Sequence, residues 1–425
     1  MDPKTTAKTT KNQAITRPCA LRDEKRFHVR WQSAMADIDR EQWDRLALPL
    51  ETPVLEWQWL HLLEASGSIA PSTGWEPWHL TVWQGDRLVG GAPLYRKRHS
   101  SGEFVFDQWW ARWAEQQQIA YYPKLVGMSP ATPAVGYRFL VDATAPAHAI
   151  ERVMWEAIDA YCKAAGLSGC HLLFVDPAWM DHAAARGYVP WRHQSFLWRN
   201  RNYASFEDYL APFKSIQRRN IRRERRRMEQ QGVTIRMLTG DQIPPQMADL
   251  MYRYYLNTNA QYGPWAARYL NAAFFQDLFT RYCHRLLLAA AYHPSIGEQP
   301  LALSMLLYKG QTLIGRYWGS ALPLKDLHFN MCFYAPIEWA IEHGIQRFDP
   351  GAGSPHKIYR GFEAVANTSL HRFYEPRLEK MFNRFIDEIN RAELAQIDDL
   401  NAQLPFSAKS VSVGGGVGTM ALDKG

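Results

Sequence analysis

The chain repeats one order of apolar and polar positions. At 78–95 it reads "WHLTVWQGDRLVGGAPLY" and at 285–308 "RLLLAAAYHPSIGEQPLALSMLLY". Each is an apolar strand, a polar turn and a second apolar strand closing on Leu-Tyr, which predicts a hairpin. A second pair follows, "AIERVMWEAIDAYCKAAGLSGCHLLFVDP" at 149–177 and "YAPIEWAIEHGIQRFDPGAG" at 334–353. Apolar residues at i, i+3 and i+4 predict an amphipathic helix in both. Gly166 and Gly344 fit the left-handed residue that closes a helix, and a short strand and an Asp-Pro pair come next. The pattern predicts two copies of one α/β unit, roughly 200 residues apart. The expected units are 30–200 and 201–390, each a mixed, twisted sheet flanked by helices. Residues 1–29 read as a flexible arm, and 391–425 as a helix end and a Gly/Ser-rich tail. Chance likeness between two hairpins is the alternative, and the shared helix–Gly–strand–Asp-Pro ending argues against it.

Between the units the pattern changes. "FKSIQRRNIRRERRRMEQQG" at 213–232 has only a narrow apolar stripe, Phe213, Ile216, Ile221 and Met228. Good helix formers and a closing Gly232 predict one helix at the domain junction, over 214–230. Arg219, Arg222, Arg223 and Arg226 share one side at i, i+3, i+4 and i+7. At least two of them are expected to line the cleft and bind an anion or tRNA. A solvated strut is the plainer reading.

Composition narrows the class. A length of 425 residues favours two cores over one. Apolar residues make up 47% and charged ones 21%, which is globular composition. The net charge of +7 lies mostly in the basic helix and is too small to imply nucleic acid by itself; DNA is not expected. Five scattered cysteines with no CxxC argue against a disulfide framework or a metal site, and for a reducing compartment. The N-terminus lacks an apolar signal core, and the longest apolar runs are far too short to span a membrane. The expectation is a cytoplasmic protein.

Chemistry concentrates in the second unit. "TLIGRYWGS" puts Arg316, Tyr317 and Trp318 at a strand end. His328 follows just before a helix, and Glu338 lies inside it, four residues ahead of Glu342. A packing histidine and a solvated acidic face are the bland alternatives. "DPGAGSPHKIYRGF" at 349–362 joins Asp349 to Gly351 and Gly353, then to His356, Lys357 and Arg360. Glycines let the backbone approach a ligand, and three titratable or cationic groups on one turn suggest an anion or acceptor site. Strand ends of α/β sheets commonly gather such groups. His328, His356, Lys357, Arg360 and Arg316 are therefore expected around one cleft.

Several stretches carry a likeness: "GWEPWHL", "PLYRKRHSSGEFVFDQWWA", "YYPKL", "RRNIRRERR", "GRYWG" and "LHFNMCFYAPIEWAIEHGIQRFDPGAGSPHKIYRGF". In order and over roughly 30–390, the chain resembles the FemAB-like family of N-acyltransferases, within the GNAT superfamily. The resemblance implies two tandem GNAT-like domains. It implies transfer of an acyl or aminoacyl group from acyl-CoA, or from aminoacyl-tRNA, to a small-molecule or peptide amine. No permanently bound cofactor is implied. It marks Lys357 as a substrate-binding lysine, since Fem-type ligases place one after a glycine-containing turn. "GAGSPHK" departs from the commoner "GAQGEHK", with Pro355 where an acid stands.

Amide formation needs a neutral amine, so a base near neutrality is required; His328 and His356 are the candidates. Backbone N–H groups at a bulged strand suit the oxyanion. Tyr317 would protonate the leaving group, with Lys357 as a fourth catalytic candidate. Arg316, Trp318, Glu338, Asp349 and Arg360 would bind substrate, and Arg219, Arg222, Arg223 and Arg226 the donor's phosphates. A binding module that keeps the double fold without catalysis is the reading from another class.

Overall fold

A computed structural model of the protein describes residues 27–263, 266–353 and 355–407. Most of the expected N-terminal arm, and the Gly/Ser-rich tail from residue 408, lie outside the described residues.

The first half supplies strands β1 (His28–Gln32), β2 (Trp75–Pro77), β3 (His79–Gln84), β4 (Arg87–Ala92), β5 (Leu94–Lys97), β6 (Lys124–Gly127), β7 (Leu140–Val141), β8 (Gly169–Leu172) and β9 (Val189–Arg199). The second supplies β10 (Thr234–Thr239), β11 (Leu286–Tyr292), β12 (Ala302–Lys309), β13 (Thr312–Ser320), β14 (Arg347–Asp349) and β15 (Glu363–Phe373). Both expected hairpins form, as β3–β4 and β11–β12, each antiparallel. Five helices matter below: α1 (Ala147–Ala164), α2 (Ser215–Gln230), α3 (Met247–Ala260), α4 (Ala335–Glu342) and α5 (Pro376–Ala402). Gly166 and Gly344, after α1 and α4, adopt φ of 61° and 68°, the left-handed closure expected of them.

One step of the order recurs in both halves, although the hairpin β3–β4 lies in a separate sheet while β11–β12 leads into β13. In each, an antiparallel run ends on a strand that pairs in parallel with the strand after the long helix: β6 with β8, and β13 with β14. The Asp-Pro pairs do not correspond, however. Asp349 ends β14, whereas Asp176 lies four residues beyond β8.

The sheets are not confined to their halves. A four-stranded sheet runs β1-β3-β4-β7, and an eleven-stranded sheet runs β10-β11-β12-β13-β14-β9-β15-β8-β6-β5-β2. The closing strands have crossed over. β9 leaves the first half to pair with β14, and β15 returns from the second half to pair with β8. Between them β9 and β15 pair with each other from Glu363↔Leu197 to His371↔Val189. Their length permits this: each is an 11-residue strand with both edges occupied. The boundary expected at 200/201 thus separates strands that one ladder holds together.

Helix α2 packs on the second half through Ile221, which joins Phe333, Tyr334 and Ile337 in a buried cluster. Among the described residues no helix is long and apolar enough to cross a membrane.

A candidate active-site cleft in the second half

The parallel pair β13–β14 is short. Thr312, Leu313 and Ile314 face Arg347, Phe348 and Asp349, and the pairing ends there while β13 runs on to Ser320. Two glycines make the fork. A Cβ on Gly315 would stand 3.1 Å from the Pro350 carbonyl, and one on Gly351 would stand 2.8 Å from the Gly315 oxygen. Gly351 also has φ of 78°, which only glycine adopts without strain. On the other edge of β13 the register with β12 slips. Met305 faces Tyr317 and Leu306 faces Gly315, so Arg316 is the extra residue of a bulge.

The fork opens into a cavity of about 400 Å³. β13 lines it with Gly315, Arg316, Tyr317 and Trp318, and the loop after β14 with Pro350, Gly351, Ala352 and Gly353. The 3-10 turn Pro355–Arg360 adds His356 and Lys357. His328, Phe329, Cys332 and Phe333 enter from the helical turns that lead into α4, and Tyr255, Thr258 and Asn259 from α3. Phe104 and Pro133 come from the first half.

Lys357 is buried, and its ammonium donates to the Gly351 carbonyl at 2.6 Å. Burial pushes its pKa down to about 8, against the opposing pull of the Asp349 carboxylate. Asp349 lies beneath the loop and accepts from the Gly351 N–H at 2.8 Å, and burial raises its own pKa. Arg316 donates to the Ala131 carbonyl at 2.8 Å and to the Tyr317 hydroxyl at 2.9 Å. Its Nε is buried and has no partner among the described residues. The Trp318 ring lies 4.6 Å from that of His328.

Of the expected site, Arg316, Tyr317, Trp318, His328, His356 and Lys357 meet in this cleft. His328 differs from expectation in its chemistry. Burial, then the charges of Arg360, Lys357 and His356, push it down to about 4, so it is a neutral, weakly basic ring at neutrality. Arg360 turns away: its guanidinium bonds Glu224 of α2 at 3.1 Å and stacks 3.4 Å over Phe329. Glu338 is also elsewhere, gripped by Arg225 at 2.5 and 3.1 Å beside a second depression. Arg219, Arg222, Arg223 and Arg226 are all exposed, and none lines either cavity. The reason is helical phase. Ile221 and Met228 are buried, and Glu224 and Arg225 bond inward to Tyr334, Arg360 and Glu338. The four arginines occupy the opposite face. The expectation that at least two of them line the cleft is not met.

Residues missed by sequence reasoning are mostly aromatic: Phe104, Tyr255, Tyr262, Tyr269, Phe329 and Phe333. Helical or strand periodicity explains such residues equally well as core, so nothing marked them. Cys332 also faces the cleft, yet burial raises its thiol to about 12, and it is an inert wall.

A double α/β fold of this order, with one forked and bulged parallel pair, defines a tandem GNAT-like architecture. The chain belongs to the FemAB-like family, described as peptidoglycan biosynthesis/recognition, whose family model matches residues 34–408. Among curated proteins none matches the chain in sequence. Among solved structures, FemX is similar in fold, with a TM-score of 0.51 at 11% identity over 81% of this chain and 98% of that one. The C-terminal domain of a putative lysylphosphatidylglycerol synthetase from Agrobacterium fabrum reaches 0.49 at 10% identity, over 83% and 97%. A tandem GNAT protein from the clavulanic acid biosynthesis pathway reaches 0.41 at 13%, over 82% and 98%.

Proposed function

We propose that the second-half cleft transfers an acyl or aminoacyl group from an activated donor to an amine, with acyl-CoA as the donor and an amino-acid-like or peptide amine as acceptor. One observation carries the reading: the parallel pair splays at a β-bulge directly beside a buried lysine poised near neutrality.

Each part has a chemical use. A bulge leaves backbone N–H groups outside the ladder, where they can donate to a carbonyl oxygen as it gains charge. The acceptor nitrogen attacks the acyl carbon, a C–N bond forms, and the C–S bond of the thioester breaks. The amine must give up one proton and the leaving thiolate must gain one. Lys357, at about 8, is suited to take that proton in its neutral form and return it in its charged form. His356, on the same turn, is the alternative carrier. His328 and Trp318 form an uncharged wall that keeps water from the ester. Acyl-CoA is a cytoplasmic donor, so this reading places the protein there.

Purified protein incubated with a panel of acyl-CoA thioesters and amino-acid or dipeptide amines should release free thiol and form amide, read by thiol titration and mass. Absence of amide from any thioester, with the fold intact, overturns the acyl-CoA reading. A second reading uses aminoacyl-tRNA and is favoured by the outward arginine stripe of α2. It requires RNA affinity that falls steeply with salt. No turnover with either donor would leave a binding module.

A further inference from the structure

The first half reaches into this cleft by one side chain whose support is unusual. Phe104 has φ of 56°, a left-handed conformation costly for an aromatic residue. Its ring lines the cavity and meets Tyr269 edge-on at 5.8 Å. The loop that carries it is rooted in buried charge. Glu103, its immediate neighbour, bonds Lys124 at 2.7 Å, and Asp107 bonds the same ammonium at 2.5 Å. Ser100 accepts from Lys124 at 2.9 Å, and Lys97 donates to the Ser101 carbonyl at 3.0 Å. Glu103, Asp107, Lys97 and Lys124 are at most 3% exposed. Burial raises Glu103 to about 7 and lowers Lys97 to about 7, so keeping this cluster inside costs more than an apolar core of the same volume. What they hold is a strained loop end, fixed in one position against the other half.

The charge of the cavity is one-sided. Arg316 and Lys357 line it, and among the described residues no Asp or Glu does, though Asp349 lies just beneath Lys357. Arg316 lines the cavity and donates to two neutral acceptors, the Ala131 carbonyl and the Tyr317 hydroxyl. A guanidinium that lines a cavity while bonded to neutral acceptors keeps its charge for a carboxylate. The remaining wall is aromatic, with Phe104, Tyr262 and Tyr269 among its members.

We propose that the acceptor is an amine carrying a carboxylate and a large apolar side chain, with Arg316 meeting the carboxylate and Phe104 selecting the side chain. This rests on the acyl-transfer reading for its chemistry, and on the geometry alone for its binding. Glu103 acts as a positioning residue, through Lys124, on Phe104.

Calorimetric titration of the full chain with three product-like probes tests this without turnover. The probes are N-acetyl-phenylalanine, N-acetyl-glycine and N-acetyl-phenylalanine amide. N-acetyl-phenylalanine should bind at least ~10-fold tighter than either of the others, a difference of about 1.4 kcal/mol. Phe104→Ala should reduce its affinity to that of N-acetyl-glycine. Arg316→Gln should erase the difference between acid and amide. Glu103→Gln should reproduce the Phe104→Ala loss of side-chain selectivity while keeping the acid preference. Equal binding of the three probes, binding of none, or variants that bind like the parent would each overturn the proposal. A protein that binds selectively yet fails to form amide would sink the acyl-transfer reading and leave this one standing.

Discussion

The two parallel strand pairs begin alike and end differently. After β13–β14 the strands separate and leave a cavity between them. After β6–β8 the gap is closed by chain. The Leu173 N–H bonds the Gly127 carbonyl at 2.8 Å, and Tyr137 bridges Val175 in parallel. A Cβ on Gly127 would fall 2.3 Å from the Tyr137 hydroxyl, which itself donates to the Pro93 carbonyl at 3.1 Å. Tyr137 is the plug. The halves also differ in how they treat a buried lysine. Lys124 of β6 is neutralised by two carboxylates and raised above its ordinary pKa, whereas Lys357 is bonded to a carbonyl and lowered. Of the two parallel wedges, one is thus left open and the other is filled by Tyr137.

The largest expected effect comes from breaking the filled half. Lys124→Met would strand Glu103 and Asp107 as buried, unpaired carboxylates. Removing one partner of such a group costs about 3–5 kcal/mol. Thermal melting should fall by many degrees. A melt within a degree or two of the parent would show that the network does not hold the fold together, and would weaken the contrast drawn between the two lysines.

The open half should behave the other way. Lys357→Ala should lower amide formation by ~100-fold or more, the scale of a lost general acid–base group, with a small change in melting. Lys357→Arg should not rescue it, because a guanidinium stays charged at every accessible pH. Rescue by arginine would reduce Lys357 to a fixed positive charge.

A smaller effect follows from pH. Below about pH 8 Lys357 is a cation, and above it the charge is lost. Affinity for N-acetyl-phenylalanine should therefore decline as pH rises through about 8. Stability moves in the opposite direction. The unfolded chain holds this proton up to the ordinary lysine pKa of 10.5, so between about 8 and 10.5 it binds more protons than the folded chain. This group's contribution to stability accordingly rises with pH across that window. A binding midpoint that stays in place in Lys357→Met would tie the pH dependence to another group.

Local patterns were legible in the sequence and long-range pairings were not. The hairpins, the helix closures at Gly166 and Gly344 and the α2 helix follow from spacings within about twenty residues, which periodicity reports. The exchange of β9 and β15 does not. Their partners lie far along the chain, and neither "VPWRHQSFLWR" nor "EAVANTSLHRF" announces which edge it will meet. The cleft divides in the same way. Arg316, Tyr317 and Trp318 sit on one strand, and His356 and Lys357 on one turn, so they were grouped by adjacency. Arg360, three residues further on, rotates away from the cleft to Glu224. Phe104 enters from the other half, through a fold-level contact that no local pattern encodes.

The smallest expected effect concerns the outer face of α2, and it separates the two donor readings. Arg219, Arg223 and Arg226 are exposed, and Arg222 pairs with the exposed Glu207. Exposed pairs of this kind contribute little to stability, and isolated surface charges less. Replacing all four with Gln should leave melting nearly unchanged, because Ile221, Met228 and the Arg225–Glu338 and Arg360–Glu224 pairs still hold the helix. With acyl-CoA donors turnover should also stay at the parent level, since none of the four reaches the cleft. With aminoacyl-tRNA the result would differ. Each lost phosphate contact would weaken binding and flatten its salt dependence. A variant that keeps its turnover with thioesters and never had affinity for tRNA makes the stripe a solvated strut. A variant that loses tRNA-dependent turnover, with KM rising and kcat little changed, makes it a docking face and moves the donor assignment to tRNA.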